Sequence, residues 1–202
     1  MVRIAGISPG VKARSAGVFY LLIFIAAPSG AATATPARML VTLACDTAVA
    51  LLLYDLLEPI SRSVSLLAAL FRLIFVAMMA VNSLNFFGYV TLARGAHSAA
   101  AFGTGYQIAM APFGVHCLLV GWLIFRSAFL PRFLGVLMAF AGLGWLAYLW
   151  PPLAMHLYPY ILAPGILGEG SLTLWLLVRG LNEQVWRARA VARTAKPPTR
   201  RT

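Results

Sequence analysis

Long, nearly uncharged apolar runs recur along this chain, and they constrain its fold more than any other feature. The clearest pair lies between Phe113 and Leu146, where two runs flank the basic turn 126–132 (RSAFLPR). The predicted helices that contain these runs, at about residues 106–125 and 131–150, are each about 20 residues long, which is the length that an α-helix needs to cross about 30 Å of hydrocarbon. The runs are continuous and lack the period-two alternation of a transmembrane β-strand. The pattern therefore predicts an all-α, polytopic membrane protein.

The runs divide the chain into a single transmembrane domain, residues 1–182, and a basic tail, residues 183–202. The composition, 61% hydrophobic and 10% charged, supports this class, because soluble domains average about 45–50% apolar and about 25% charged residues. We predict six transmembrane helices, at about residues 15–33, 38–57, 64–89, 106–125, 131–150 and 159–181.

The first apolar run has two interpretations. Its basic start, its short apolar stretch and the sequence Ala32-Thr33-Ala34 are also typical of a secretory signal peptide with a small-residue cleavage site. The alternative, adopted in the six-helix prediction, is a first transmembrane helix that is followed by a tight external turn.

The basic residues predict how the six helices are oriented. The net charge is +11, from 16 basic and 5 acidic residues. Thirteen basic residues fall on the side that holds both termini: Arg3, Lys12, Arg14, Arg62, Arg126, Arg132, Arg179, Arg187, Arg189, Arg193, Lys196, Arg200 and Arg201. Only Arg38 and Arg94 fall on the other side, and Arg72 lies within a span. Because short cytoplasmic loops are rich in Lys and Arg, we expect cytoplasmic N and C termini in a bacterial inner membrane. The excess charge then faces membrane lipids, and no nucleic-acid partner is predicted.

Four segments, taken together, resemble a known membrane family. They are CDTAVALLLYDLLEPI (Cys45–Ile60), LLAALFRLIFVAMMAVN (Leu66–Asn82), HCLLVGWLIFRSAFLPRFLGVLMAFAGLGWL (His116–Leu146) and APGILGEGSLTLWLLVRGLN (Ala163–Asn182). With them the chain resembles the bacterial integral membrane family filed as domain of unknown function 4386, over about Ile4–Asn182. The resemblance implies six transmembrane helices and favours keeping the first apolar run as a helix. It implies no activity, because no function is established for that family.

Four ionisable residues lie inside the predicted helices: Asp46, Arg72, His116 and Glu169. A charge at the centre of a bilayer costs roughly 2.5–3.5 kcal/mol, so such residues usually face the bundle interior and find partners. At about 1.5 Å of rise per residue, all four fall within about 9 Å of depth. The spacing therefore allows one intramembrane polar cluster.

This intramembrane polar cluster has several interpretations. Arg72 can pair with Asp46 or Glu169 as a structural link, with His116 as a neutral hydrogen-bonding residue. The same groups can form a path for a solute or a proton. A metal or haem site is disfavoured because the adjacent His116 and Cys117 point about 100° apart, and we predict no metal and no cofactor. GxSxG and HExxH motifs are absent, so no catalytic residue is predicted.

Other polar and small residues of the predicted helices indicate how the helices pack. Asn82 and Asn85 share one face of the third helix and form a secondary polar pair, either for hydrogen bonds between helices or for lining a cavity. Glycines at two-turn spacing, Gly114 with Gly121 and Gly135 with Gly142, predict close packing of the fourth and fifth helices.

Two further predictions concern the ends of helices. Trp145, Tyr148 and Trp150 look like an interfacial aromatic belt at the end of the fifth helix. Asp55, near the end of the second helix, is expected to be solvated or paired with Arg62.

Two functions follow from these observations. The first is an integral membrane protein that binds or moves a small solute or a proton through the polar cluster. The second is a non-catalytic accessory or structural subunit of a membrane complex, in which the same residues hold helices together. A homodimer or a membrane-complex partner is compatible with the small size of the bundle.

Overall fold

The structure, a computed structural model, describes residues 7–27, 35–91 and 95–194, and the side chains of all of these except 86, 88–91, 95–99 and 194. This part of the chain forms eight α-helices: α1 (Pro9–Ala26), α2 (Pro36–Leu57), α3 (Arg62–Thr91), α4 (Gly95–Ser127), α5 (Arg132–Leu146), α6 (Pro151–Leu157), α7 (Ala163–Val178) and α8 (Glu183–Thr194). Short 3-10 turns, Ala147–Leu149 and Tyr160–Leu162, flank α6. Six helices, α1 to α5 and α7, are long and apolar enough, with their adjoining turns, to cross a membrane. The predicted all-α fold with six transmembrane helices is confirmed.

The helix bounds differ from the predicted ones at several places, and the short helix α6 (Pro151–Leu157) is not among the predicted helices. The first helix begins at Pro9, because the Ser8 hydroxyl accepts a hydrogen bond from the Val11 backbone N–H (3.3 Å) and proline suits the first helical position. Helix α4 begins at Gly95, so the small-residue segment before residue 106 is helical. Glu183–Thr194 of the predicted tail forms α8. The first helix ends at Ala26, before the predicted end at about residue 33, and residues 28–34 lie outside the described residues.

The six spanning helices form a closed, antiparallel ring. Each helix packs against the next one in chain order, α5 packs against α7, and α7 packs against α1. The start of α1 and the end of α7 therefore lie at the same end of the ring, which we call the terminal end. There the Gly10 backbone N–H donates to Glu183 Oε1 at 3.2 Å. The other end is called the opposite end.

Glycines set the close approach of α4 and α5, as predicted. A Cβ atom added at Gly121 would lie 2.7 Å from the carbonyl oxygen of Gly135, and one at Gly114 would lie 2.9 Å from that of Gly142. Residue numbers fall along α5 as they rise along α4, so the two helices are antiparallel. Only residues without a side chain let two backbones approach this closely.

The prediction for Asp55 is wrong. Asp55 is buried and forms an ion pair with the buried Lys12 across α1 and α2, while Glu58 lies 3.9 Å from Arg62. A buried ionised carboxylate is costly without such a partner. Because α1 supplies this partner, α1 belongs to the bundle, which favours the helix interpretation of the first run over the signal peptide.

Helix α8 packs under the terminal end of the ring. The Trp186 indole N–H donates to the carbonyl oxygen of Leu56 at 2.8 Å, and the Arg193 side chain donates to that of Glu58. These bonds satisfy carbonyls at the end of α2, which have no partner within their own helix. The tail is therefore a docked helix as far as Thr194, and residues 195–202 lie outside the described residues.

Candidate functional site in the ring interior

Arg72 is the centre of a buried hydrogen-bond network inside the ring. Its side chain is only 1% exposed, and its Nη2 and Nε both donate to Asp46 Oδ1, at 2.5 and 3.1 Å. Its Nη1 donates to the Tyr20 hydroxyl at 2.7 Å and to His116 Nε2 at 3.1 Å. Four of its five N–H groups are thereby used. The guanidinium also lies 4.7 Å from the Tyr20 ring centroid and 5.3 Å from that of Phe113, so cation–π attraction adds to the network.

The hydrogen bonds of His116 define its tautomer. Its Nδ1 lies 2.8 Å from the carbonyl oxygen of Ala68, so Nδ1 must carry the donated proton. Its Nε2 faces a guanidinium N–H of Arg72, so Nε2 accepts. The imidazole is therefore neutral, and both ring nitrogens are used inside the protein. His116 links α3 to α4 and has no ring nitrogen left for a metal ion.

A cavity of about 480 Å³ lies beside this network, and all six ring helices contribute to its lining. Asp46, Arg72 and Glu169 form its polar floor. From there it extends toward the opposite end, between the end of α1, the start of α2, the later part of α3 and the first half of α4. Its walls are apolar and aromatic, and they include Phe24, Met39, Phe75, Met79, Tyr106 and Phe113. The site is thus a largely apolar chamber with charged groups at its inner end.

Glu169 differs from Asp46 in how its carboxylate is satisfied. Glu169 is 8% exposed, and its Oε1 accepts a hydrogen bond from the Trp145 indole N–H at 3.0 Å. Within the described part of the chain, no Lys or Arg forms an ion pair with it, and its Oε2 accepts no hydrogen bond. One carboxylate oxygen therefore remains available to whatever occupies the cavity.

The four predicted cluster residues thus divide into two groups. Asp46, Arg72 and His116 are joined directly, whereas Glu169 lies on the same cavity without a direct bond to Arg72. The pairing of Arg72 with Asp46, one of the two predicted alternatives, is confirmed.

The secondary pair lies elsewhere, toward the opposite end. Asn82 Nδ2 donates to the carbonyl oxygen of Phe102 across α3 and α4 at 3.0 Å, and Asn85 Nδ2 donates to Asn82 Oδ1 at 3.2 Å. Neither asparagine lines the cavity. The prediction of a hydrogen bond between helices is confirmed for Asn82.

The aromatic-belt prediction is wrong for two of its three residues. Trp150 is 68% exposed, but Trp145 and Tyr148 are 9% and 8% exposed and stack on each other inside the ring, 6.0 Å apart. Trp145 faces inward because it continues the buried stripe of α5 that includes Gly135, Met138 and Gly142. This three- and four-residue spacing is the signal in the sequence that could have identified Trp145.

Tyr20 is the other site residue that sequence reasoning missed. It is fully buried and follows Ala13 and Ala16 on one face of α1, and small residues at this spacing mark a face that packs closely against other helices. Its phenol hydroxyl accepts from Arg72. The first helix therefore contributes a side chain to the central network as well as apolar surface.

The described residues contain no group of three His, Cys, Asp or Glu side chains that could hold a metal ion. Both cysteines, Cys45 and Cys117, are buried free thiols. The polar chemistry of the site therefore comes from the carboxylates, the guanidinium and the aromatic N–H and O–H groups.

Comparison with known proteins places this architecture in a family. Residues 29–180 match the family model described as a domain of unknown function (DUF4386), a range that includes the cavity floor and omits the whole of α1. The chain is also 30% identical, over 138 residues, to a protein of Archaeoglobus fulgidus described as uncharacterized; the match covers 67% of this chain and 76% of that relative. No solved structure matches significantly. The six-helix chain belongs to the DUF4386 family.

Proposed function

We propose that this membrane protein binds, or carries across the membrane, a small solute that is mostly apolar and has one polar group. The observation that carries the proposal is the interior cavity of about 480 Å³ with Glu169 and the Arg72–Asp46 pair at its floor. Ligand sites commonly occupy about 300–1,000 Å³ and combine apolar walls with a few polar groups. Ionisable residues inside a membrane bundle commonly mark a solute pathway.

A proton path receives less support than a solute site. Both nitrogens of His116 already form hydrogen bonds, one to Ala68 and one to Arg72, so the imidazole has no free nitrogen that could relay a proton. The described residues of the cavity walls are mostly apolar; Thr42 and Tyr106 contribute hydroxyl groups, which is few for a proton path from the floor to the opposite end.

We further propose that the protein lies in the cytoplasmic membrane with both termini in the cytoplasm. The support is the distribution of charge over the ring. Arg14, Arg62, Arg126 and Arg179 lie at the terminal end, whereas Arg38, at the start of α2, lies at the opposite end. In this orientation the cavity occupies the half of the bundle that faces away from the cytoplasm.

The solute-binding proposal can be tested with a probe that fills the cavity. The protein in lipid nanodiscs is titrated with 1-neopentylnaphthalene, a neutral apolar probe, and saturable one-to-one binding is measured by native mass spectrometry. Thr42 lines the cavity, so the variant Thr42→Trp should fill it and weaken binding at least roughly tenfold. A native mass spectrum of the protein before probe is added reveals any natural ligand that stays bound through purification.

Thr47→Trp is the matched control. Thr42 and Thr47 both lie half-buried on α2, and each hydroxyl donates at 2.9 Å to the carbonyl four residues earlier. Thr47 does not line the cavity, so its variant should bind the probe like the wild type. Equal loss of probe binding in both variants would contradict the proposal, and so would a protein that binds neither this probe nor a charged analogue of it.

A second candidate function is that of an accessory subunit, in a homodimer or with another membrane protein. The observation that favours it is the near-saturated network of Arg72, which links α1, α2, α3 and α4 and serves stability without any ligand. Native mass spectrometry distinguishes the two candidates. Protein that retains only lipid and a stoichiometric protein partner would favour the accessory role.

A further inference from the structure

We propose that the polar group of the solute is a positive charge, so that the cavity is a site for a small organic cation such as a protonated or quaternary amine. This inference rests on the proposed solute binding and names the class of solute. It follows from three features of the cavity: the charge at its floor, the aromatic groups around Glu169, and the way in which Arg72 is enclosed.

The charges at the cavity floor do not cancel. Arg72 contributes one positive charge, and Asp46 binds it directly through Oδ1 at 2.5 Å. Glu169 is a second carboxylate on the same cavity, and it has no ion-pair partner within the described part of the chain. With both carboxylates ionised, the floor carries one excess negative charge. A buried charge without a partner is costly, and a cation in the cavity would remove that cost.

Three aromatic side chains, Phe75, Phe113 and Trp145, line the same cavity as Glu169. Trp145 donates to Glu169 Oε1 and lines the cavity, and the Phe113 ring lies 5.9 Å from the Trp145 ring. Phe75 packs on Phe113 with centroids 4.6 Å apart. The faces of aromatic rings attract cations, and aromatic cages are a known means of binding quaternary ammonium groups. The apolar remainder of such a solute would contact Met39 and Met79.

An anionic solute fits the floor less well, although an arginine is present. The Nη1 of Arg72 is enclosed by Tyr20 and His116, and its Nε and Nη2 face Asp46. One N–H group at most is left for an anion. An anion that reached it would also lie close to two carboxylates, which would repel it.

Three probes of nearly equal shape test the inference. They are (1-naphthylmethyl)trimethylammonium, its neutral isostere 1-neopentylnaphthalene, and the anion 1-naphthylacetate. Each is titrated against the full-length protein in nanodiscs of uncharged phosphatidylcholine, and one-to-one occupancy is read by native mass spectrometry. The wild type should bind the cation at least roughly tenfold more tightly than the neutral isostere.

The variant Glu169→Gln keeps the size of the side chain and an oxygen that can accept from Trp145. It should reduce the ratio of cation to neutral affinity to about one, while the affinity for the neutral probe stays unchanged and shows that the cavity is intact. The control Glu183→Gln makes the same substitution at the terminal end, where Glu183 accepts from Gly10 and pairs with Arg187. It should keep the wild-type ratio.

Each other outcome overturns the inference. Equal binding of the cation and the neutral probe by the wild type would indicate that the natural solute is uncharged. Stronger binding of the anion would indicate that the solute is anionic and that Arg72 binds it. A preference for the cation that survives in Glu169→Gln would remove Glu169 from the site. In these three cases solute binding itself still stands, whereas failure of all three probes to bind would overturn both proposals.

Discussion

Asp46 and Glu169 are both buried carboxylates inside the ring of helices, but they accept hydrogen bonds from different kinds of donor. Asp46 accepts two hydrogen bonds from Arg72, whereas Glu169 accepts one from the neutral indole of Trp145. In the first arrangement Asp46 and Arg72 form an ion pair that links α2 to α3. The second leaves a carboxylate oxygen on a cavity, which is the reason for assigning binding to Glu169 and structural support to the Arg72–Asp46 pair.

Replacing Arg72 by Met should destabilise the protein strongly. The substitution leaves Asp46 as an uncompensated buried charge, and breaking a buried pair in this way costs about 3–5 kcal/mol. The expected result is a large fall in melting temperature and in the yield of monodisperse protein, measured by thermal scanning and size-exclusion chromatography in detergent.

The double variant Arg72→Met with Asp46→Leu should recover part of this loss, because no charge is then left without a partner. Arg132→Met serves as the control, since Arg132 is exposed at the start of α5 with its Cζ 5.7 Å from the Phe125 ring. If the double variant were as unstable as Arg72→Met, the pair would not be the source of the stability.

At the scale of elements, the contact of α4 with α5 depends on missing side chains. In the Gly135→Ala variant the new Cβ would lie 2.6 Å from the carbonyl oxygen of Gly121, a backbone atom that cannot move aside without shifting a helix. We expect a loss of about 1–3 kcal/mol in the free energy of unfolding, as is typical of overpacking. Thermal unfolding or denaturant titration in mixed micelles measures it.

Gly170→Ala is the matched control for this prediction. Gly170 lies inside α7, and a Cβ added there meets no atom within 4 Å. Because alanine favours a helix over glycine by about 1 kcal/mol, this variant should be neutral or more stable than the wild type. Equal destabilisation by both alanines would show that the close approach of α4 and α5 is not the cause.

At the scale of the whole molecule, ring closure creates the cavity. Helix α7 packs against both α5 and α1, so Glu169 is brought to the same interior as Asp46 and Arg72, which lie on α2 and α3. A row of helices without the contact between α1 and α7 would leave these groups facing lipid. The site is therefore a property of the complete ring.

The proposed orientation makes a prediction at this same scale. Green fluorescent protein fused after Thr202 should fluoresce and alkaline phosphatase fused there should be inactive, because the positive-inside rule keeps the terminal end in the cytoplasm. Alkaline phosphatase fused after Tyr158, between α6 and α7, should be active. The reverse pattern of activities in a bacterial host would show that the ring is inserted the other way round.

The sequence by itself determined the fold class, the six helices, the close packing of α4 with α5 at their glycines, and the four ionisable residues of the interior. These features follow from segment lengths and from the cost of placing charges in lipid, which act on each helix separately. The resemblance carried by segments such as Cys45–Ile60 and His116–Leu146 also identified the family, which the match over residues 29–180 confirms.

Only the tertiary structure decided that Arg72 pairs with Asp46 and not with Glu169, that Lys12 pairs with Asp55, and that the Trp145 indole donates to Glu169. These choices depend on the rotation of each helix about its axis. In a membrane, lipid tails and the protein interior are both apolar, so hydrophobic periodicity does not mark the inward face of a helix. The cavity and its available carboxylate oxygen therefore appeared only when all six helices were packed together.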